Sequence, residues 1–122
     1  GEIQAAMKDV LKLISDEMER LNIPYTFNGW DSEQEIPKFI GDITEVKNPY
    51  EDGKNEYSFN LTGFGQTYDQ LYSYADALKK EYKNSKLVDG MVITYENTDN
   101  IPNNSEDLKQ IQINFNIKNW RL

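Results

Sequence analysis

The sequence contains no cysteine and no histidine. Without cysteine there are no disulfides and no thiolate chemistry. Without histidine the commonest general acid–base and the commonest metal ligand are both missing, so any catalysis would rest on carboxylates, tyrosine or lysine. No apolar run approaches the ~20 residues of a membrane span. The opening GEIQAAMKDV is polar and mixed, unlike the charged cap and apolar run of a signal peptide, and none is expected. In that setting the N-x-S/T triplets at Asn60 and Asn103 read as chance matches. Basic charge is scarce too: 13 Lys and Arg stand against 21 Asp and Glu, a net charge of −8. Such a surface repels nucleic acid and anionic membrane, so neither is an expected partner.

What is present is strong periodicity. A chain of 122 residues reads as one domain, 1–122. Ile3, Met7, Val10, Leu11, Ile14, Met18 and Leu21 recur at spacings of three and four, the apolar stripe of one helix starting near Glu2. Asn22 and Pro24 close it. IPYTFNGW reads as a short strand, and DSEQEIP as a polar loop. KFIGDITEVK reads as a strand with a bulge near Gly41, because Phe39, Ile40, Ile43 and Val46 do not share one parity. After the turn NPYEDGKN, Tyr57, Phe59 and Leu61 alternate with Ser58, Asn60 and Thr62. At Gly63 the parity changes, and Gly63 and Gly65 flanking Phe64 read as a strand end that must bend before a helix. Thr67 to Gln70 form a T-x-x-Q capping box, opening a helix with the stripe Tyr68, Leu71, Tyr72, Ala75, Leu78 and Tyr82. Two further strands, GMVITYEN and KQIQINFNIKNW, flank a polar, Asn-rich loop over 97–107. The order α-β-β-β-α-β-β predicts an α+β fold, a mostly antiparallel sheet with both helices on one face. Its other face would carry Ser58, Asn60, Thr62, Thr94, Glu96, Gln112, Asn114 and Asn116. That set suits either plain solvation or packing against another chain.

Candidate chemistry is thin. Asp31, Glu33 and Glu35 could hold a hard cation, but their spacing fits no EF-hand loop and a solvated acidic loop explains them. Gly63-Phe64-Gly65 before a helix lacks the remaining glycines or lysine of a phosphate loop. No catalytic centre, metal or cofactor is therefore expected. The aromatic residues are more telling, because Tyr and Trp dominate contact surfaces. Trp30 ends a strand beside a loop, Tyr50 and Asp52 lie in the long turn, and Trp120 stands near the C-terminus. They are the candidate residues for an oligomer or partner interface. For the tryptophans, capping the core is the other role open.

The segment FIGDITEVKNPYEDGKNEYSFNLTGF resembles a strand–turn–strand pattern of small proteins of phages and prophages of Gram-positive bacteria. The resemblance extends over most of the chain, from IPYTFNGW through TYDQLYSYADALKKEY to NIKNW, and departs from the pattern at the Asn-rich loop 97–107. The chain is similar to the tail terminators and head–tail completion proteins of long-tailed phages. That resemblance implies a non-enzymatic structural role, a homo-oligomeric ring, commonly a hexamer, that caps the tail tube and joins it to the head. Its partners would be further copies of itself, the tail tube and head-completion proteins. It would act in the host cytoplasm during assembly and end in the virion tail. One ring contact would use the Asn48–Asn55 turn and the other a strand end carrying Trp30 or Trp120. The charge of −8 leaves a different reading, an acidic protein-binding adaptor or DNA-mimic inhibitor. Lys79, Lys80, Lys83 and Lys86 interrupt the dense acidic stripe a DNA mimic would need.

Overall fold

The computed structural model describes residues 2–28, 35–46, 55–102 and 108–119. Helix α1 spans Glu2–Arg20 and buries Val10, Leu13, Ile14 and Met18. It stops where the sequence places a stop. Asn22 takes a left-handed φ of 59°, and the Ile23 N–H reaches back to the Met18 carbonyl at 2.8 Å. This is the six-to-one bond of a Schellman cap, with Ile23 buried against the helix it ends. Helix α2, Tyr68–Tyr82, starts at Thr67, whose hydroxyl accepts the Gln70 N–H at 3.2 Å. Asp69 in its first turn and Lys79 and Lys80 in its last complement the helix dipole.

The strands are β1 (Tyr25–Phe27), β2 (Lys38–Val46), β3 (Asn55–Gly65), β4 (Lys86–Val88), β5 (Met91–Asn100) and β6 (Lys109–Asn119). They form one six-stranded sheet in the order β1-β2-β3-β6-β5-β4. Only β1 and β2 run parallel; every other neighbouring pair is antiparallel. The central ladder pairs β3 with β6 from Asn55↔Asn119 to Gly65↔Lys109. Both helices lie on one face: Ile14 and Met18 of α1 and Tyr82 of α2 enclose the same interior with Phe59 and Phe115. The expected α+β layout is therefore present. Phe115 centres the core, its ring 5.9 Å from Phe59, 6.0 Å from Tyr82 and 6.0 Å from Tyr95. Burying each such side chain contributes ~1.5–3 kcal/mol, so these rings carry much of the stability.

Three local features differ from expectation. Strand β4 is an additional short strand, joined to β5 through Asp89 and Gly90, both at positive φ, as a tight hairpin demands. Strand β5 runs through Asn100 into the predicted loop, because a bulge between Tyr95 and Asn97 resets its register on β6. No bulge occurs at Gly41; β2 pairs with β3 without interruption from Lys38↔Phe64 to Val46↔Glu56. At Gly63 the strand continues straight, and it ends at Gly65, within the expected strand end. The mixed parity at both places comes from aromatic rings lying over glycine. A Cβ on Gly63 would meet the Phe39 ring at 2.4 Å, and one on Gly41 would meet the Tyr25 ring at 2.7 Å. Ile40 and Phe64 point to the other side of the sheet, by register, as its apolar exceptions.

Candidate functional site

The face of the sheet opposite the helices is covered by no described element. The strict alternation of β3 and β6 builds it, since every residue pointing away from the core lands there. The ladder arranges the side chains in rows across the strands. Asp42, Asn60, Asn114 and Asn97 form one row. Thr44, Ser58, Asn116 and Thr94 form the next, and Ile40, Thr62, Gln112 and Asp99 flank them on the other side. Ile40 and Phe64 lie toward one end, and Val92 and Leu87 toward the other, where Leu87 is 68% exposed.

Hydrogen bonds tie this surface together. Asn114 Nδ2 donates to Asn97 Oδ1 and to Asp99 Oδ2, each at 3.2 Å, and Asn97 Nδ2 donates to Asp99 Oδ2 at 3.1 Å. Asn116 Nδ2 donates to Glu56 Oε2 at 2.9 Å. The amides of Asn97, Asn114 and Asn116 are thus oriented by bonds within the face itself. Seven of the eight residues expected on this face are there; Glu96 is not among the paired rows. It is the extra residue of the bulge, and Asn97 and Asp99 take the outward places beyond it. The fixed charges are Asp42, Glu56 and Asp99 against Lys38 and Lys118, a balance of −1 on a chain of −8. It is a surface of oriented amides and hydroxyls, suited to a protein partner and poor in reactive groups.

A second cluster lies at the C-terminal ends of the two helices. Glu17 is only 6% exposed. It accepts two bonds from Arg20 at 3.0 Å and one from the Tyr82 hydroxyl at 2.7 Å. Arg20 also donates to Glu81 at 2.7 Å, and Lys86 pairs with the same Glu81 oxygen. The Arg20 bonds, joined by the Tyr82 hydroxyl, hold the Glu17 carboxyl below its usual range against burial. The Tyr82 hydroxyl is pushed upward by burial and by its bond to Glu17. A carboxylate filled by three donors and kept ionised is a poor proton acceptor, so the cluster clamps α1, α2 and β4 together. The void beside it, enclosed by Ile14, Met18, Phe59, Ile93, Phe115 and Ile117, is ≈ 10 Å³, too small for a ligand. A shallow groove of ≈ 280 Å³ lies outside α1, lined by Ser15, Met18, Glu19, Ile23 and Tyr25. Tyr25 itself has a buried hydroxyl with no hydrogen-bond partner in the described structure.

Trp30, Tyr50, Asp52 and Trp120 lie outside the described residues, as do Asp31, Glu33 and the 48–54 part of the long turn. Glu35 is exposed just before β2. Gly63 and Gly65 are buried strand positions under Phe39 and Leu71, which leaves no cradle for a phosphate. Lys79, Lys80 and Lys83 are exposed on and just after α2, with Lys79 5.9 Å from the Tyr95 ring. Among the described residues no group of three or more acidic side chains is arranged to hold a metal ion. No described helix is long and apolar enough to cross a membrane. Sequence reasoning missed Glu17; its only signal is a carboxylate on the same helical face as Val10, Leu13 and Ile14. No protein-family model matches the chain, and no curated protein matches it.

Proposed function

We propose that this protein is a non-enzymatic phage or prophage structural protein, similar to tail terminators. In that reading it forms a homo-oligomeric ring that caps the tail tube and joins it to the head. It acts in the host cytoplasm during assembly and stays in the virion tail. The observation that carries the reading is the uncovered sheet face, with its pre-oriented amides and near-neutral charge. Two strands of 11 residues with a neighbouring strand on either side make a face about 19 Å by 35 Å, roughly 700 Å². That is close to the ~800 Å² per partner of a stable interface. The low charge lets copies approach despite the −8 of the whole chain. The resemblance carried by FIGDITEVKNPYEDGKNEYSFNLTGF supplies the specific context.

The test uses the tube. Purified protein is mixed with polymerising major tail protein from the same locus, and the products are imaged. Tubes of limited length with density at their ends are expected. Asn114→Arg and Asn60→Arg place a charge at the centre of the face and should abolish capping while the circular dichroism spectrum stays unchanged. Tubes of uncontrolled length with bare ends would reject the terminator reading.

A further inference from the structure

The two sides of the sheet end differently. Beyond β4, the outer edge of β5 is interrupted: the bulge falls at Glu96, and the Ser85 and Thr94 hydroxyls are bonded at 2.7 Å. Bulges and side-chain caps of this kind blunt an edge against further pairing. Among the described residues the outer edge of β2 has neither. Strand β1 pairs with Phe39, Ile40 and Gly41, and the Asn28 N–H to the Gly41 carbonyl at 3.1 Å is the last bond on that side among the described residues. Strand β2 continues through Val46 in unbroken register with β3.

Two hydrogen bonds fix which backbone groups face outward: Phe39 N–H donates to Pro24 and Gly41 C=O accepts from Asn28. The period of two then turns the N–H and C=O groups of Ile43 and Glu45 outward as well, while Asp42, Thr44 and Val46 bond to β3. Ile43, Thr44 and Val46 are β-branched and favour extended backbone. The side chains along this edge are acidic. Asp42 and Glu45 are exposed on opposite faces, Glu56 lies across from Val46, and no Lys or Arg occurs between Phe39 and Val46.

We propose that the outer edge of β2, from Asp42 to Val46, binds an extended basic segment of a partner protein, which joins the sheet as a further strand. The outward N–H and C=O groups of Ile43 and Glu45 supply the main-chain bonds that give such additions their affinity. Asp42 on one face and Glu45 on the other select lysine or arginine at positions three apart on the incoming strand. A second copy of the chain is the poorer occupant, because aligned β2 edges would gather like carboxylates from both molecules. The edge borders the open face and shares Asp42 with it, but its bonds are made by backbone groups, so the peptide experiment tests it apart from the ring reading.

The probe is a fluorescein-labelled short peptide of lysine, valine and threonine with lysines on both faces. Binding is followed by fluorescence anisotropy at low salt. Two control peptides carry glutamate for lysine or N-methyl groups on alternate amides. Saturable binding is expected for the lysine peptide, with the N-methylated peptide about tenfold weaker and the glutamate peptide not binding. Glu45→Pro removes an outward donor without breaking the ladder to β3; it should weaken binding about tenfold, whereas Glu45→Gln, which keeps the N–H, should cost about threefold. Amide exchange in the unaltered protein should slow at Ile43 and Glu45 on binding, a readout that holds even if Glu45→Pro fails to fold. No saturable binding, equal affinity of the N-methylated peptide, or unchanged exchange at Ile43 and Glu45 would each overturn the proposal.

Discussion

Replacing Glu17 by Ala removes the carboxylate that joins the two helices. Two consequences follow from the geometry. Tyr82 is fully buried, and its hydroxyl loses the 2.7 Å acceptor. An unsatisfied buried hydroxyl costs about 1–3 kcal/mol. Arg20 loses both 3.0 Å bonds to Glu17 but keeps Glu81 and, at 45% side-chain exposure, water. Its share is under ~1 kcal/mol. The sum is about 1–4 kcal/mol, and at about 3–5 °C per kcal/mol for a domain of this size the melting temperature should fall by roughly 3–20 °C. A double-mutant cycle isolates the hydroxyl. Tyr82→Phe in the Glu17→Ala background removes the orphaned group, so the double variant should be more stable than Glu17→Ala alone by about 1–2 kcal/mol. The acid limb gives an independent check. Because the folded protein holds Glu17 below its ordinary 4.5, its stabilisation is complete above that pH and is lost as pH falls through the lowered value. Glu17→Gln should flatten this part of the stability–pH curve. Urea titrations at pH 7 and at a series of acid pH values measure all of this. A loss under ~0.5 kcal/mol for Glu17→Ala, with no coupling to Tyr82, would refute the clamp.

Two further outcomes are expected. Gly63→Ala drives a methyl into the Phe39 ring, whose nearest atom lies 2.4 Å from the new Cβ; the overpacking should cost about 1–3 kcal/mol by urea denaturation, and pairing it with Phe39→Leu should recover part of the loss. Tyr25 has a buried hydroxyl with no partner among the described residues, and burial pushes its ionisation up to about 12. Ultraviolet titration should show this tyrosine ionising late. The stabilisation from keeping it neutral is present below its ordinary value of 10.0 and lost as pH rises toward 12. Tyr25→Phe should leave neutral-pH stability unchanged or raise it by about 1 kcal/mol, and should abolish the late step.

Much of this architecture is written in local spacing. The three-and-four stripe through Val10, Ile14 and Met18 sets a helix, and the strict alternation through Ile111, Ile113, Phe115 and Ile117 sets a strand, because 3.6 and 2 are properties of the backbone alone. Thr67 as a cap and Asn22 as a stop are equally local, each acting within a few residues along the chain. The neutral residues of the open face were legible for the same reason: once Phe59 and Phe115 point inward, Asn60, Asn114 and Asn116 must point outward. Other features depend on which distant segments meet. Glu17 is buried as an ion because Tyr82, 65 residues away, brings a hydroxyl to it. Gly41 and Gly63 read as breaks in the pattern until the folded sheet lays Tyr25 and Phe39 over them. The bulge at Glu96 arises only in pairing with β6, and it moves Asn97 and Asp99 onto the open face. Among the described residues the edge of β2 beyond Gly41 has no neighbouring strand, because β1 pairs only with Phe39, Ile40 and Gly41, a fact of tertiary topology. Periodicity states which way a side chain points; only packing decides what it meets there.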